Sequence, residues 1–194
     1  GDTLAFTVDG AQTAGVHFYR NDVRNSGDDF TEADYSIRNL SFYDNRSHNS
    51  MTFVSLDPLY GGPLVVARNI VINVGRTPFK WNSTNAGQFI YNNTVVRTNH
   101  PSIASGWYQP NNGAQNAYGY RNNILIYRGP GTYTPWIESG GHTWIDWTHN
   151  SWFPDRGIQW GGVWNSLAAT QASIGSTTPV FSGATKRFAN DNIT

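Results

Sequence analysis

VHFYRN at residues 16–21 recurs as LSFYDN at 40–45, LVVARN at 64–69 and QFIYNN at 88–93, each time ending on asparagine. The closing residues, Asn21, Asn45, Asn69 and Asn93, keep a constant spacing of 24, three times running. The phrase returns as YGYRNN ending at Asn123 and IDWTHN ending at Asn150, with spacings of 30 and then 27. A second asparagine stands four places beyond each of the first three, at Asn25, Asn49 and Asn73. Six occurrences in one frame make a repeat, and a period in the twenties points to a solenoid.

A coil of this length holds several short strands, each adding to its own parallel sheet. Inward positions then stack coil upon coil, as Val16, Leu40 and Leu64 would. An asparagine buried at a turn can satisfy the backbone of the next coil, which makes the asparagine ladder structural. The spacing therefore predicts an all-β chain: a single-stranded right-handed parallel β-helix of about six coils. Leucine-rich repeats have short periods too, but their leucine spacing is absent. An ordinary β-sandwich would carry no such repeat.

The chain reads as one domain over 1–194, with a lead-in segment 1–15, coils over 16–150 and a C-terminal cap over 151–194. The wide gap between Asn93 and Asn123 places extra residues within RTNHPSIASGWYQPNNGAQ, residues 97–115, as a loop. WNSLAATQASIG, residues 164–175, predicts a short helix in the cap, started by Asn165 or Ser166 and ended by Gly175. The apolar opening LAFTV, residues 4–8, has no evident cap, so a partner chain or a second copy is expected over the first coil.

Composition excludes several functions. Net charge is zero and 13% of residues are charged, which leaves no broad basic surface for nucleic acid. No apolar run approaches the roughly 18 residues of a membrane helix. There are no cysteines, hence no thiol catalysis and no thiolate zinc site. None of the five histidines, His17, His48, His100, His142 and His149, falls into metal-ligand spacing. His149 precedes a ladder asparagine and reads as structural.

The densest charge is SGDDFTEAD, residues 26–34, with Asp28, Asp29, Glu32 and Asp34. Residues two apart in a strand share a face, so Glu32 and Asp34 point the same way. Crowded carboxylates repel unless a cation joins them. A hard cation such as Ca²⁺ takes several oxygen ligands, which this run supplies. The alternative is a solvated turn whose aspartates cap backbone groups. Adding 24 to Glu32 gives Leu56, beside Asp57, and adding 48 gives Lys80. The same double step from Asp28 gives Arg76. Trp107, Tyr108 and Gln109, with Trp136 and Glu138, are expected on the same face, so acids, bases and aromatics would line one cleft.

RNSGDDFTEAD, YGGPLVVARN and YNNTVV resemble the bacterial right-handed β-helix repeat proteins of the pectate-lyase-like superfamily, over about residues 15–155. That superfamily spans lyases, hydrolases, epimerases, adhesins and phage tail parts. Asp-Asp-x-x-acid on a β-helix turn is similar to the calcium motif of the family 9 polysaccharide lyases, whose base is a lysine. The resemblance implies Asp28, Asp29 and Glu32 as calcium ligands and Lys80 as base. The third acid is Glu where the motif has Asp. The expected activity is β-elimination on an acidic polysaccharide: a cation neutralises the carboxylate, Lys80 removes the C5 proton with its pKa lowered by burial and Arg76, and Tyr108 serves the leaving oxygen. Glu32, Asp34, Asp57, Trp107, Gln109, Trp136 and Glu138 would bind the sugar chain. The alternatives are a polysaccharide hydrolase and a non-catalytic glycan-binding or structural β-helix of a surface or phage protein. A secreted or cell-surface bacterial location goes with each of them.

Overall fold

The computed structural model describes residues 4–5, 13–83, 85–98, 108–111, 115–129, 137–138, 145–153, 158–160 and 163–165. Short alternating runs broken by asparagine corners give a procession of short strands. After β1 (Leu4–Ala5) come β2 (Ala14–Tyr19), β3 (Asp22–Arg24) and β4 (Asp29–Glu32). The next coil holds β5 (Arg38–Tyr43), β6 (Arg46–His48) and β7 (Thr52–Leu56). Then follow β8 (Leu64–Ala67), β9 (Ile70–Ile72) and β10 (Phe79–Asn82), and after them β11 (Asn85–Tyr91), β12 (Thr94–Arg97) and β13 (Tyr108–Asn111). The last described strands are β14 (Gln115–Arg121), β15 (Ile124–Tyr127), β16 (Ile137–Glu138), β17 (Ile145–Thr148), β18 (Ser151–Phe153), β19 (Ile158–Trp160) and β20 (Val163–Asn165).

Corresponding strands of successive coils stack. One sheet runs β1-β4-β7-β10-β13, a second β2-β5-β8-β11-β14-β17 and a third β3-β6-β9-β12-β15-β18. Every pair in these three sheets is parallel. The fold is a parallel β-helix, the class that the repeat predicts, but the coil count differs from the expected six: among the described residues four coils, β2–β4 to β11–β13, supply a strand to each of the three sheets.

The period-two alternation of each strand sends one set of side chains inward. Phe18, Phe42, Val66, Ile90 and Tyr120 form one column in the second sheet, and all but Phe18 are fully or almost fully buried. Val54 and Leu56 stack on Phe79 and Trp81 in the first sheet. The indole of Trp81 donates to the hydroxyl of Tyr120 at 2.7 Å, so the polar atom of a buried ring is satisfied.

The asparagine ladder forms as its spacing predicts. Backbone N–H and Nδ2 of Asn21 both donate to Oδ1 of Asn45, each at 3.1 Å. Asn45 does the same to Asn69, Asn69 to Asn93, Asn93 to Asn123 and Asn123 to Asn150. Each Nδ2 from Asn45 onward also donates to a carbonyl of the preceding coil, as Asn69 does to Phe42 at 2.9 Å. The residue before each rung, Arg20, Asp44, Arg68, Asn92, Asn122 or His149, has φ between 54° and 58°. That left-handed residue turns the chain so that the asparagine enters the interior. His149 is thereby placed as a corner residue. The second asparagines repeat the left-handed turn, with φ of 60°, 58° and 55° at Asn25, Asn49 and Asn73.

Four expectations need correction or bounding. Glu32 and Lys80 do share a column, but Ser55 stands between them, not Leu56, which pairs with Trp81. The second coil reaches the first sheet one residue early, so a uniform addition of 24 misplaces its middle member. The repeat does not end at Ser151, because β18 still adds to the third sheet. In the cap, Asn165 lies in β20, which pairs antiparallel with β19, and no helix occurs among the described residues. Residues 166–175 lie outside them. At the other end, Leu4 and Ala5 already pair with Thr31 and Glu32. The expected cover over this end concerns residues 1–3 and 6–12, also outside the described set.

Candidate functional site

The acidic run enters the first sheet as β4, and its residues meet different environments. Asp28 is exposed and Asp29 is buried. Asp29 Oδ2 accepts a hydrogen bond from Lys80 Nζ at 2.7 Å, with side chains 3% and 18% exposed. The pair bridges two coils, from β4 across β7 to β10. Ser55, registered on Glu32 and Lys80, is fully buried. Its hydroxyl donates to Asp34 Oδ1 at 3.4 Å. Ser83 donates to Asp57 Oδ1 at 2.7 Å. Asp29, Asp34 and Glu32 thus act on one ammonium group, and Asp57 acts on Asp34.

These contacts set the charge states. Burial drives the Asp34 carboxyl up to about 6; a hydrogen bond with Glu32 and the charge of Lys80 pull it down, while Asp57 and Asp29 push it up. Burial alone would lower Lys80. The hydrogen bond and charge of Asp29, reinforced by Asp34 and Glu32, outweigh it and hold the ammonium above the usual lysine range. This is opposite to the lowered pKa expected of a general base. Arg76 does not contribute: its backbone N–H pairs with Met51 O at 2.8 Å at the start of the sheet, and none of the charges acting on Lys80 comes from it.

The expected calcium ligands are separated by their burial and partners. One oxygen of Asp29 is taken by Lys80, and Asp28 lies on the exposed side. Among the described residues no group of three or more acidic or imidazole side chains is gathered to hold a metal ion. Asp29 Oδ1 and Thr52 Oγ1, on residues paired across β4 and β7, are buried without a hydrogen-bond partner.

Gln109 continues the Glu32–Ser55–Lys80 column in β13, whereas Tyr108 takes the register position of the core residue Phe79. Glu138 lies in β16, which pairs with β19 and not with β13. Trp107 and Trp136 lie outside the described residues, as do His100 and His142. The aromatics beside the cluster are different ones. Tyr35 and Tyr60, 38% and 54% exposed, sit with ring centroids 6.5 Å apart. They flank the bridge between Ser36 and Leu59, just beyond Asp34 and Asp57. Their only signal in the sequence is position: each follows closely on an acid of the cluster, Tyr35 on Asp34 and Tyr60 on Asp57.

No family model, curated protein or solved structure matches the chain.

Proposed function

We propose that this chain is a non-catalytic saccharide-binding β-helix, kin to the pectate-lyase-like proteins, which holds a neutral glycan over Tyr35 and Tyr60. The observation that carries this reading is the closed Lys80–Asp29 ion pair beside an open tyrosine pair. A base must be deprotonated and able to reach its proton. Lys80 is held charged and is turned to a carboxylate that is 3% exposed. Two exposed rings beside polar edges suit a sugar, whose C–H faces stack on aromatics while its hydroxyls meet Glu32, Asp57 and Ser83. Three carboxylates acting on one ammonium, with Asp57 beside Asp34, leave the rim negative, which repels a uronate chain and favours a neutral one. A location outside the bacterial cell, with a second copy or partner over the first coil, belongs to the same reading.

The test is titration calorimetry with neutral and uronate oligosaccharides. Tyr60→Ala and Tyr35→Ala should each weaken binding of a neutral oligosaccharide about tenfold, equal to about 1.4 kcal/mol. Unchanged affinity in both variants would overturn the site. The lyase reading keeps one observation in its favour, the shared column of Glu32, Lys80 and Gln109. It is tested by incubating the protein with uronate polymers, with and without Ca²⁺, and following absorbance of the unsaturated product. Turnover that is abolished by Lys80→Ala would replace the binding reading with the lyase.

A further inference from the structure

A pocket of about 260 Å³ opens at the corner between the third and first sheets, lined by Ser26 and Gly27, Asn49 and Met51, and Asn73 and Gly75 from three successive coils. The outer asparagine ladder breaks here. Asn49 Nδ2 donates to Asn25 Oδ1 at 3.0 Å. The next rung does not repeat this bond: Asn73 Oδ1 is taken by the backbone N–H and hydroxyl of Thr98, at 2.8 and 3.0 Å. Among the described residues no hydrogen bond is made to Asn49 Oδ1 or from Asn73 Nδ2, and both asparagines line the pocket from adjacent coils, about 4.8 Å apart in the stacking direction. The inner ladder closes the corresponding Asn45–Asn69 step with two bonds, so the opening is a local departure and not a property of the repeat.

We infer that this pocket is a second, separate binding site, for one ring of a neutral saccharide. A hydroxyl both donates and accepts, so neighbouring sugar hydroxyls can satisfy Asn49 Oδ1 and Asn73 Nδ2 together. The thioether of Met51 and the bare backbone of Gly75 give the floor an apolar surface for the C–H face of the ring. Among the described residues no charged side chain lines the pocket, and no aromatic side chain does either, which disfavours phosphates, uronates and nucleobases. Its volume falls below the roughly 300–1,000 Å³ of sites for drug-sized ligands and suits a single ring. The site shares its ligand class with the tyrosine pair but not its residues. It lies at the start of β4 and β7, while Tyr35 and Tyr60 lie beyond their ends.

The experiment uses the whole chain and four neutral probes: cellohexaose, xylohexaose, mannohexaose and chitohexaose. Binding is read by calorimetry and by the side-chain amide NMR signals of Asn49 and Asn73. Gly75→Phe fills the pocket. A Cβ there meets nothing closer than Met51 Sδ at 3.7 Å, so the fold accepts a side chain. Asn73→Asp keeps the acceptor for Thr98 and removes the free donor. The expected result is that one probe shifts both amide signals. Gly75→Phe should then abolish both shifts and Asn73→Asp that of Asn49, the amide it retains, or each should weaken binding at least about tenfold, with an unchanged melting temperature. Tyr60→Ala should leave the shift in place. Amide signals that no probe moves overturn the inference, as do signals that still move in Gly75→Phe. If all binding disappears in Tyr60→Ala while Gly75→Phe binds normally, the inference fails and the tyrosine site stands. The reverse pattern keeps the pocket and removes the tyrosine site.

Discussion

Replacing Asn69 tests whether the inner ladder holds the coils together. Asn69 is 1% exposed and lies mid-ladder. Its Oδ1 accepts from the backbone N–H and Nδ2 of Asn45 at 2.9 and 3.1 Å. Its Nδ2 donates to Phe42 O and to Asn93 Oδ1, both at 2.9 Å. Asn69→Ala strips the N–H of Asn45 of its acceptor, and a buried orphan donor costs about 1–3 kcal/mol. The three other lost bonds add roughly 0.5–1.5 kcal/mol each, so the expected total is about 3–7 kcal/mol. Asn69→Asp keeps the shape and the acceptor but turns a second oxygen toward Phe42 O and Asn93 Oδ1. It should cost at least as much at neutral pH, which separates hydrogen bonding from packing. Asn21→Ala is the control. Asn21 is half-buried, its Nδ2 bond to Tyr19 O is exposed, and water replaces what is lost, at a cost below about 1 kcal/mol. Urea titrations followed by circular dichroism give the comparison. Equal, small losses at both positions would refute the claim that the ladder's energy lies in its buried bonds.

Lys80→Met should destabilise by about 3–5 kcal/mol, because it leaves Asp29 buried and unpaired; Lys80→Met with Asp29→Asn should recover most of that loss in the same urea titration. Burial raises the folded-state pKa of Asp34 above the ordinary aspartate value of 3.8 to about 6, so the stability that goes with its protonated form is present below the ordinary value and is lost as pH rises through about 6. That difference corresponds to at most ~3 kcal/mol, so Asp34→Asn should flatten the pH dependence of melting over this window and should be the more stable protein near pH ~7.5; parallel wild-type and variant curves would count against it. Gly62 has φ of 77°, and a Cβ there would sit 2.6 Å from Gly87 O. Gly62→Ala should therefore cost more than about 2 kcal/mol in thermal melts, whereas Gly75→Ala should be nearly neutral.

The fold was legible because the ladder is a one-dimensional signal. A rung must bond the rung above it, so its position in each coil cannot drift, and the constant spacing of 24 records that constraint directly. The ladder even survives the wider step to Asn123, because the extra residues lie between β12 and β14, away from the corner. The candidate site lies where no such constraint acts. Counted from its own rung, Glu32 stands at the same offset from Asn21 as Lys80 does from Asn69, but Ser55 stands one place closer to Asn45. The corner of the second coil is one residue shorter, and the deficit is recovered before Asn69. Because side-chain direction has period two, one residue is enough to exchange a buried position for its neighbour.

That single residue decides which side chains meet in the charged column. Asp29 and Lys80 lie on strands two spacings apart, roughly 10 Å along the stack. Lys80 stacks on Ser55, whereas Asp29 stacks on Thr52, so the ion pair crosses from one column to another over three strands. The shortened corner brings Ser55, fully buried, onto Lys80 and Leu56 onto Trp81 in the core. The ammonium is held on a carboxylate that is 3% exposed, which is the opposite of what a base in an open cleft requires. This is the physical reason for placing ligand recognition on the tyrosines and asparagines outside the column and for assigning the column itself to holding three coils together.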